Sequence, residues 1–218
     1  MKLAIFDLDG TLVNSLEDIT DAVNYTMKQL GCPERSISEV NSYTGDGLLE
    51  LCQKALPENE QDKLESAIKI YSEYYNSHYT VKTKPYDGIP ELLHELKERG
   101  IVLAVASNKT YAFTVDIIFK CFGRGLFSEI EGRIDGRPIK PAPDIIDTIL
   151  KKTGFMPEDA VLIGDTGIDI TTAVNAGIRS AGCLWGFRTR EELEGSGADF
   201  IVGTPCDILS LIDSGASK

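Results

Sequence analysis

Two aspartates at the end of an apolar run are the residues of this chain best placed to do chemistry. Asp7 and Asp9 follow the apolar run 3–6 and stand just before Gly10. Residues two apart in an extended segment point the same way, so the two carboxylates should converge just beyond a strand. Such a pair needs a cation or a shared proton, and Mg²⁺ is the simplest hard cation for oxygen ligands. Aspartate and glycine are also ordinary turn residues, so this pattern alone leaves a metal site and a turn both open.

Three later segments carry polar residues in a similar setting. Ser107 ends the apolar run 101–106, Lys140 opens the segment Lys-Pro-Ala-Pro-Asp, and Asp165 and Asp169 lie in Gly-Asp-Thr-Gly-Ile-Asp. Together with the N-terminal Asp-x-Asp-Gly-Thr-Leu, these segments resemble, in order, the four motifs of the haloacid dehalogenase-like hydrolases. The resemblance spans essentially the whole chain, and four ordered motifs are far more specific than any single one.

The resemblance implies phosphoryl transfer with separate roles for the two N-terminal aspartates. Asp7 is the expected nucleophile, which would form an aspartyl phosphate, and Asp9 would protonate the leaving group and later activate water. The expected cofactor is Mg²⁺, with Asp7, Asp165 and, through its backbone carbonyl as in the family, Asp9 as ligands. Asp169 is expected to hydrogen-bond Lys140 or a metal-bound water, although stabilisation of a helix N-terminus alone would also favour an aspartate there.

The same resemblance implies a group of residues that bind the phosphoryl group. The Ser107 hydroxyl and the backbone N–H of Asn108 would donate to its oxygens, and Lys140 would place a positive charge beside it. Thr11 of the first motif belongs to this expected set. Two alternative interpretations remain at this point: Ser107 as the cap of a helix at 109–119, and Lys140 as an isolated surface lysine.

Alternation of apolar runs with helical patterns is typical of a parallel sheet covered on both faces. We predict strands near residues 2–7, 101–106, 160–164, 178–183 and 199–202. From residue 15 to 80 helical periodicity recurs without a convincing strand. The expected fold class is α/β, a Rossmann-like three-layer core at 1–13 and 85–218 with a four-helix-bundle cap inserted at 14–84. In the resembled superfamily, an insert in this place is a mobile cap that closes over the active site.

Two helices of the insert can be placed in more detail. The segment from Ser15 to Asp18 resembles a capping box and predicts a helix start. A second long helix is predicted at about 58–80. One stripe of this helix comprises Leu64, Ile68, Tyr71, Tyr75 and His78. Such a stripe is more typical of a packing face than of a ligand site.

Charge and composition limit the partners. The 218 residues include 22 Lys and Arg against 34 Asp and Glu, which gives a net charge of −12. Nucleic acid and anionic membranes need a positive surface, so neither is an expected partner. A small phosphorylated metabolite remains possible if a local site with a metal ion, a lysine and backbone N–H groups attracts it.

Cysteine usage and the N-terminus bear on the compartment. The five cysteines are scattered without a Cys-x-x-Cys pair, so neither a zinc site nor a disulfide framework is indicated. The apolar run 3–6 is too short for a signal peptide or a membrane span. The expected location is the cytoplasm, and the expected state is a monomer or a weak homodimer.

Asp9 and three local segments narrow the activity within the resembled superfamily. Dehalogenases and phosphonate-cleaving relatives lack an aspartate at the position of Asp9, whereas phosphatases and phosphomutases keep it. Three segments look most like the phosphoglycolate phosphatase branch, namely 44–48, 85–88 and 185–188. We therefore expect a phosphatase for a small phosphomonoester, with Gly45 and Gly47 of the cap contacting the substrate.

Two features fit this branch poorly. A carboxylate-bearing substrate needs a cation near the cap turn, yet the turn carries Asp46, with Lys54 and Arg35 only as distant candidates. The segment 132–137 also departs from the commoner family pattern, so its role stays open.

Three other activities remain as alternatives. A phosphomutase resembling β-phosphoglucomutase and a pyrophosphatase belong to the same superfamily. A receiver-type phosphoacceptor domain also uses clustered aspartates, Ser or Thr, and Lys around Mg²⁺. A receiver, however, has its phosphorylated aspartate on the third strand and needs no helical insert.

Overall fold

Apolar runs form most strands of a central sheet in the computed structural model, which describes residues 1–214. The strands are β1 Leu3–Phe6, β2 Val13–Asn14, β3 Lys84–Pro85, β4 Val102–Thr110, β5 Glu129–Arg133, β6 Ala160–Gly164, β7 Arg179–Cys183 and β8 Phe200–Val202. Six of them form one parallel sheet in the order β5-β4-β1-β6-β7-β8, while β2 and β3 pair with each other.

Helices occupy most of the chain between these strands. They are α1 Leu16–Gln29, α2 Ile37–Tyr43, α3 Leu48–Ala55, α4 Leu64–His78, α5 Ile89–Glu98, α6 Tyr111–Phe122, α7 Asp144–Thr153, α8 Gly167–Ala176, α9 Arg190–Gly195 and α10 Asp207–Ser214, with 3₁₀ turns at Glu58–Lys63 and Pro157–Asp159. Over the described range 1–214, no helix is both long and apolar enough to cross a membrane.

The chain separates into two compact units. One contains Met1–Val13 and the chain from Pro85 onward, and the other contains Asn14–Lys84. The first unit holds the six-stranded sheet. The second holds α1 to α4, with Asn14 of β2 and Lys84 of β3 at its two ends. We refer to them as the core unit and the insert unit.

The order of strands in the core unit determines where its polar residues meet. The chain runs from β1 outward to β4 and β5, then crosses back to β6 on the other side of β1. Register places Leu3 beside both Val102 and Ala160. In open α/β sheets ligands bind beyond the carboxyl ends of the strands where the order reverses, which here means the ends of β1, β4 and β6.

One face of the sheet is buried against α7 and α8. Leu3 and Ile5 of β1 belong to the same buried cluster as Ile146 and Ile149 of α7 and Ala173 of α8. Right-handed crossovers require α5 and α6 to cover the opposite face, which gives the three layers predicted from the sequence. The sheet is therefore inaccessible on both faces, and its carboxyl-end edge remains for binding.

Strand β5 was not predicted, because its sequence Glu-Ile-Glu-Gly-Arg looks like a polar loop. Glu131 is nevertheless buried, and its carboxylate contacts Lys152 at 2.6 Å and Arg137 at 2.8 Å. Burial alone would raise the pKa of Glu131, but hydrogen bonds from these two residues lower it. Arg137 thus gives the unassigned segment 132–137 a structural function, since it neutralises an edge-strand carboxylate.

The predicted capping box at Ser15 is wrong. Ser15 precedes α1 but its side chain makes no capping hydrogen bond, and Asp18 points elsewhere. The buried Asp18 carboxylate accepts hydrogen bonds from the backbone N–H groups of Lys82 and Thr83 and from the Thr83 hydroxyl, at 2.7 to 3.0 Å. Asp18 therefore ties the last residues of the insert unit to its first helix.

Helix α4 begins at Leu64, later than predicted, because a 3₁₀ turn occupies Glu58–Lys63. Tyr71 and Tyr75 are buried, as expected for a packing face. His78 stacks on Tyr74 with ring centroids 3.9 Å apart, and Tyr74 stacks in turn on Tyr25 of α1 at 4.2 Å. The aromatic stripe is therefore a packing feature of the insert unit.

We predict that Asp18→Ala destabilises the protein by about 3 kcal/mol, because several buried donors lose their acceptor at once. Asp21→Ala is the matched control on the same helix, since Asp21 pairs with the exposed Lys82 ammonium at 2.7 Å. Urea unfolding should show a much larger loss for the first variant. Equal losses would contradict the assigned role of Asp18.

Candidate active site

The ends of the three central strands bring the predicted residues together. Asp7 directly follows β1, and its backbone N–H donates to the Ile163 carbonyl of β6 at 2.9 Å. Asp165 directly follows β6, and Ser107 lies in β4. All three side chains are buried. The strand order alone therefore assembles residues that are more than 50 positions apart in the sequence.

Strand β4 continues past Ser107 to Thr110, and its register with β5 shifts after Ala106. Helix α6 begins only at Tyr111, so Ser107 does not cap it. The Ser107 oxygen instead accepts a hydrogen bond from the Lys109 backbone N–H at 3.2 Å. The alternative interpretation of Ser107 as a helix cap is wrong.

Three buried carboxylates form a cluster at this edge. Asp7, Asp165 and Asp169 each offer an oxygen, and these oxygens lie within 4.8 Å of one another. Burial raises the pKa of Asp7 to about 7, with Asp169 and Asp9 adding to the effect and Lys140 opposing it. Burial, followed by the charges of Asp169 and Asp7, also raises the pKa of Asp165. The cluster is thus short of positive charge.

Lys140 is the cation of the cluster and is not a surface lysine. Its ammonium lies 2.6 Å from Asp169 Oδ1 and 2.9 Å from Asp7 Oδ1, and it donates to the Ala106 carbonyl at 2.9 Å. Burial alone would lower the pKa of Lys140, but Asp169 and Asp7 outweigh it and raise that pKa. The amide of Asn108 fixes the backbone of Lys140 by accepting from its N–H at 2.8 Å and donating to its carbonyl at 3.0 Å.

Asp165 is held by donors on both oxygens. The Thr11 hydroxyl donates to Oδ1 at 2.9 Å, and the backbone N–H of Phe187 donates to Oδ2 at 2.8 Å. Trp185 secures Thr11 by donating from its indole to the Thr11 carbonyl at 3.0 Å. Thr11 is fully buried, and its hydroxyl orients Asp165. Contact between Thr11 and a phosphoryl group stays a prediction.

Glycines allow the backbone to approach these carboxylates. A Cβ on Gly186 would lie 2.2 Å from Asp165 Cβ and 2.4 Å from the Gly10 carbonyl oxygen. A Cβ on Gly10, where φ is 85°, would lie 2.2 Å from Asp165 Oδ2. The segment 185–188, noted in the sequence for its resemblance alone, therefore encloses Asp165.

Asp169 takes part in two interactions. Its Oδ2 accepts from the backbone and hydroxyl of Thr166 at 3.1 and 2.8 Å, which completes a capping box on α8. Its Oδ1 accepts from Lys140, which matches one of the two partners expected for this residue. A helix terminus thus positions the carboxylate that holds the lysine.

A divalent cation fits the cluster. Three carboxylates face one ammonium, so a charge of +2 would restore balance. Asp7 Oδ1 is buried and accepts no hydrogen bond, although the Lys140 ammonium lies 2.9 Å from it. Carboxylate oxygens are the ligands that Mg²⁺ prefers.

Asp9 has a partner that sequence reasoning missed. Lys109 donates to both carboxylate oxygens of Asp9, at 2.9 and 3.1 Å. The side chains of the pair are 9% and 19% exposed for Lys109 and Asp9. The two residues are 100 positions apart in sequence, and no local pattern links them.

Gly45 and Gly47 lie in the insert unit, in the turn between α2 and α3, with φ values of 110° and 91°. Lys54 pairs with Asp46 of this turn at 2.6 Å. The expectation from the sequence that Lys54 is distant from the turn is therefore wrong. Arg35 instead donates to the Ala55 carbonyl. The one cation at this turn is therefore already paired among the described residues of the insert unit. Contact between the two glycines and a substrate stays a prediction.

Comparisons with known proteins agree on one family. The family model for haloacid dehalogenase-like hydrolases matches residues 4–183. A phosphoglycolate phosphatase from Aquifex aeolicus is 35% identical over 215 residues, covering 98% of each chain. A phosphoglycolate phosphatase from Haemophilus influenzae is 32% identical, covering 97% of this chain and 98% of its own. The solved structure of a haloacid dehalogenase-like family hydrolase from Streptococcus pneumoniae aligns with a TM-score of 0.89 at 28% identity, over 97% of this chain and 98% of its own.

Gly186→Ala should weaken metal binding and destabilise the protein by about 2–3 kcal/mol, because the added methyl group overlaps Asp165. Gly195→Ala is the control, since a Cβ there meets no atom within 4 Å. Thermal unfolding with and without Mg²⁺ measures both effects. A Gly186→Ala protein that is stabilised by Mg²⁺ as strongly as the unchanged chain would contradict this packing argument.

In the absence of metal, Asp7→Asn should stabilise the protein above about pH 7. In the folded state the pKa of Asp7 is about 7, whereas the ordinary pKa of an aspartate side chain is 3.8. As pH rises between these values, only the unfolded state releases the proton, so stability falls and the full penalty is present above the folded pKa. At about 1.4 kcal/mol per pKa unit the gain in the variant reaches at most about 4 kcal/mol.

Chemical unfolding in chelator at a series of pH values measures this difference. Asp135→Asn removes the same charge from an exposed side chain and should leave stability unchanged. An Asp7→Asn variant that is less stable than the unchanged protein at every pH would show that the carboxylate cluster carries no such strain.

Proposed function

Because this chain belongs to the haloacid dehalogenase-like hydrolase family, we propose that it is a Mg²⁺-dependent phosphatase acting on a small phosphomonoester through an aspartyl phosphate. The observation that carries the proposal is the buried Asp7 carboxylate, which shares the strand-end edge with two further carboxylates and a buried lysine. Such a site supplies a nucleophile, a metal site and a phosphate-binding cation together, as phosphoryl transfer requires.

The metal would be held by Asp7, Asp165 and the backbone carbonyl of Asp9, with Asp169 close by. When bound, Mg²⁺ would neutralise charge on the phosphoryl oxygens and keep the carboxylates ionised. Lys140 adds positive charge on the Asp7 side, and Ser107 offers its hydroxyl to a phosphoryl oxygen. The backbone N–H of Asn108 is proposed as a further donor, while its amide keeps Lys140 in position.

In the first step a carboxylate oxygen of Asp7 forms a bond to phosphorus as the ester P–O bond breaks. The leaving oxygen keeps the bonding electron pair and takes a proton from Asp9. In the second step Asp9 accepts a proton from water while the water oxygen bonds to phosphorus. The aspartyl P–O bond then breaks, which releases inorganic phosphate and restores both carboxyl groups.

The named relatives are phosphoglycolate phosphatases, and their identity to this chain extends over nearly its whole length. We propose phosphoglycolate or a similar small phosphate ester as the substrate. The core-unit residues proposed here bind the phosphoryl group, which every phosphomonoester has. Recognition of the alcohol part of the substrate must therefore come from other residues.

Asp7→Asn should abolish turnover, whereas Asp9→Asn should retain slow hydrolysis of esters with acidic leaving groups. A positioned acid contributes roughly 10²–10⁴-fold, and an acidic leaving group needs it least. Steady-state kinetics with an alkyl phosphate and with acetyl phosphate, in Mg²⁺ and in chelator, measures these effects. Equal mild losses in both variants, or full activity in chelator, would refute the proposed roles.

A further inference from the structure

The short segment after β7 contacts two parts of the candidate metal site at once. The Trp185 indole donates to the Thr11 carbonyl at 3.0 Å, and the Phe187 backbone N–H donates to Asp165 Oδ2 at 2.8 Å. Thr11 belongs to the loop after β1 that carries Asp9, whereas Asp165 follows β6. Two residues of one segment therefore fix the loop of Asp9 and the Asp165 carboxylate relative to each other.

This segment and the loop are each held by backbone hydrogen bonds within the core unit. The N–H of Leu184 donates to the Val202 carbonyl of β8 at 3.0 Å, so the segment is attached to the sheet. In the loop, the N–H groups of Leu12 and Val13 donate to the Leu8 carbonyl at 2.9 and 3.0 Å. The indole contact thus sets the distance between two parts that are already ordered.

The orientation of Asp165 is fixed as well. Its Oδ1 accepts from the Thr11 hydroxyl at 2.9 Å and its Oδ2 accepts from Phe187, so rotation of the carboxylate would break both hydrogen bonds. Asp165 and Thr11 are fully buried, so water does not replace a donor that is lost there. Asp165 therefore presents its oxygens to a cation in one orientation.

A site of fixed geometry discriminates between cations of different size. Mg²⁺ requires nearly octahedral oxygens at about 2.0–2.1 Å, whereas Ca²⁺ accepts about six to eight oxygens at about 2.3–2.6 Å in flexible arrangements. Groups that hold the ligands determine how precisely those ligands are placed, and their loss typically lowers metal affinity by about 10–100-fold. Loosening the contact between the loop and Asp165 should therefore weaken binding of the smaller ion more.

We propose that Trp185 is a positioning residue of the metal site, which favours Mg²⁺ over larger divalent cations by holding the loop of Asp9 against Asp165. This inference rests on the proposed function, in which Asp165 and the backbone carbonyl of Asp9 are ligands. The Trp185 side chain has no oxygen to offer a cation. Its effect passes through Thr11, whose carbonyl it binds and whose hydroxyl orients Asp165.

The test measures the affinities of Mg²⁺ and Ca²⁺ separately, by calorimetric titration of metal-free protein. Trp185→Phe keeps an aromatic ring and removes the N–H donor. It should raise the Kd of Mg²⁺ about 10-fold and the Kd of Ca²⁺ by less than about threefold. Ile149→Val is the control, because it removes a methyl group from the buried cluster between the sheet and α7 and should leave the ratio of the two Kd values unchanged.

Thr11 provides a second pair of variants, which decides the question where the tryptophan variant does not fold. Thr11→Val removes the hydroxyl that orients Asp165 and should reduce the preference for Mg²⁺ in the same way. Thr11→Ser keeps a hydroxyl at this position and should keep the preference. Equal ratios of the two Kd values in these two variants would contradict the proposed route through Thr11.

Equal losses of affinity for both ions in Trp185→Phe, or no loss for either, would overturn the inference and leave the phosphatase standing. A change of the ratio in Ile149→Val as large as that in Trp185→Phe would also overturn it, since any destabilisation would then have the same effect. Failure of the unchanged protein to bind Mg²⁺ and to hydrolyse any phosphomonoester in its presence would overturn the proposed function itself.

Discussion

Charge imbalance at the carboxyl edge of the sheet is the constraint on which this site depends. Among residues 1–214, Asp7, Asp165 and Asp169 are buried around one ammonium, that of Lys140. Burial of carboxylates without matching positive charge is unfavourable, and the raised pKa of Asp7 expresses that cost. The rest of the core unit can be understood as the framework that keeps these groups together until a cation and a phosphate ester relieve the imbalance.

That framework combines sheet topology with local support. Reversal of the strand order at β1 aligns the ends of β1, β4 and β6, so residues distant in sequence become neighbours. Thr11 and Phe187 hold Asp165, and the capping box of α8 holds Asp169. Gly10 and Gly186 leave room for Asp165 where any side chain would overlap it. Each of these groups holds a carboxylate in place. The cluster therefore stays assembled despite the repulsion between its negative charges.

Sequence reasoning predicted the α/β class, five of the six sheet strands and the family, because apolar runs and motif spacing are local signals. It missed β5, whose buried Glu131 depends on Lys152 and Arg137 from other segments. It also missed the pairing of Lys109 with Asp9 and the hydrogen bond from the Thr11 hydroxyl to Asp165. These contacts join residues 100 and 154 positions apart, so only the fold creates them. The capping box at Ser15 failed for the same reason, since Asp18 is bound by residues at the far end of the insert unit.

Proton release on metal binding measures whether the buried carboxylate cluster is short of positive charge. Calorimetric titration of Mg²⁺ in buffers of different ionisation enthalpy measures both stoichiometry and proton exchange. The carboxylate cluster predicts one Mg²⁺ per chain and release of protons near about pH 6.5, falling as pH rises above the Asp7 pKa, because the ion displaces a proton that burial retains. Binding of Mg²⁺ with no proton release at about pH 6.5 would show that the charges of the carboxylates are already balanced, and would contradict the assigned charge imbalance.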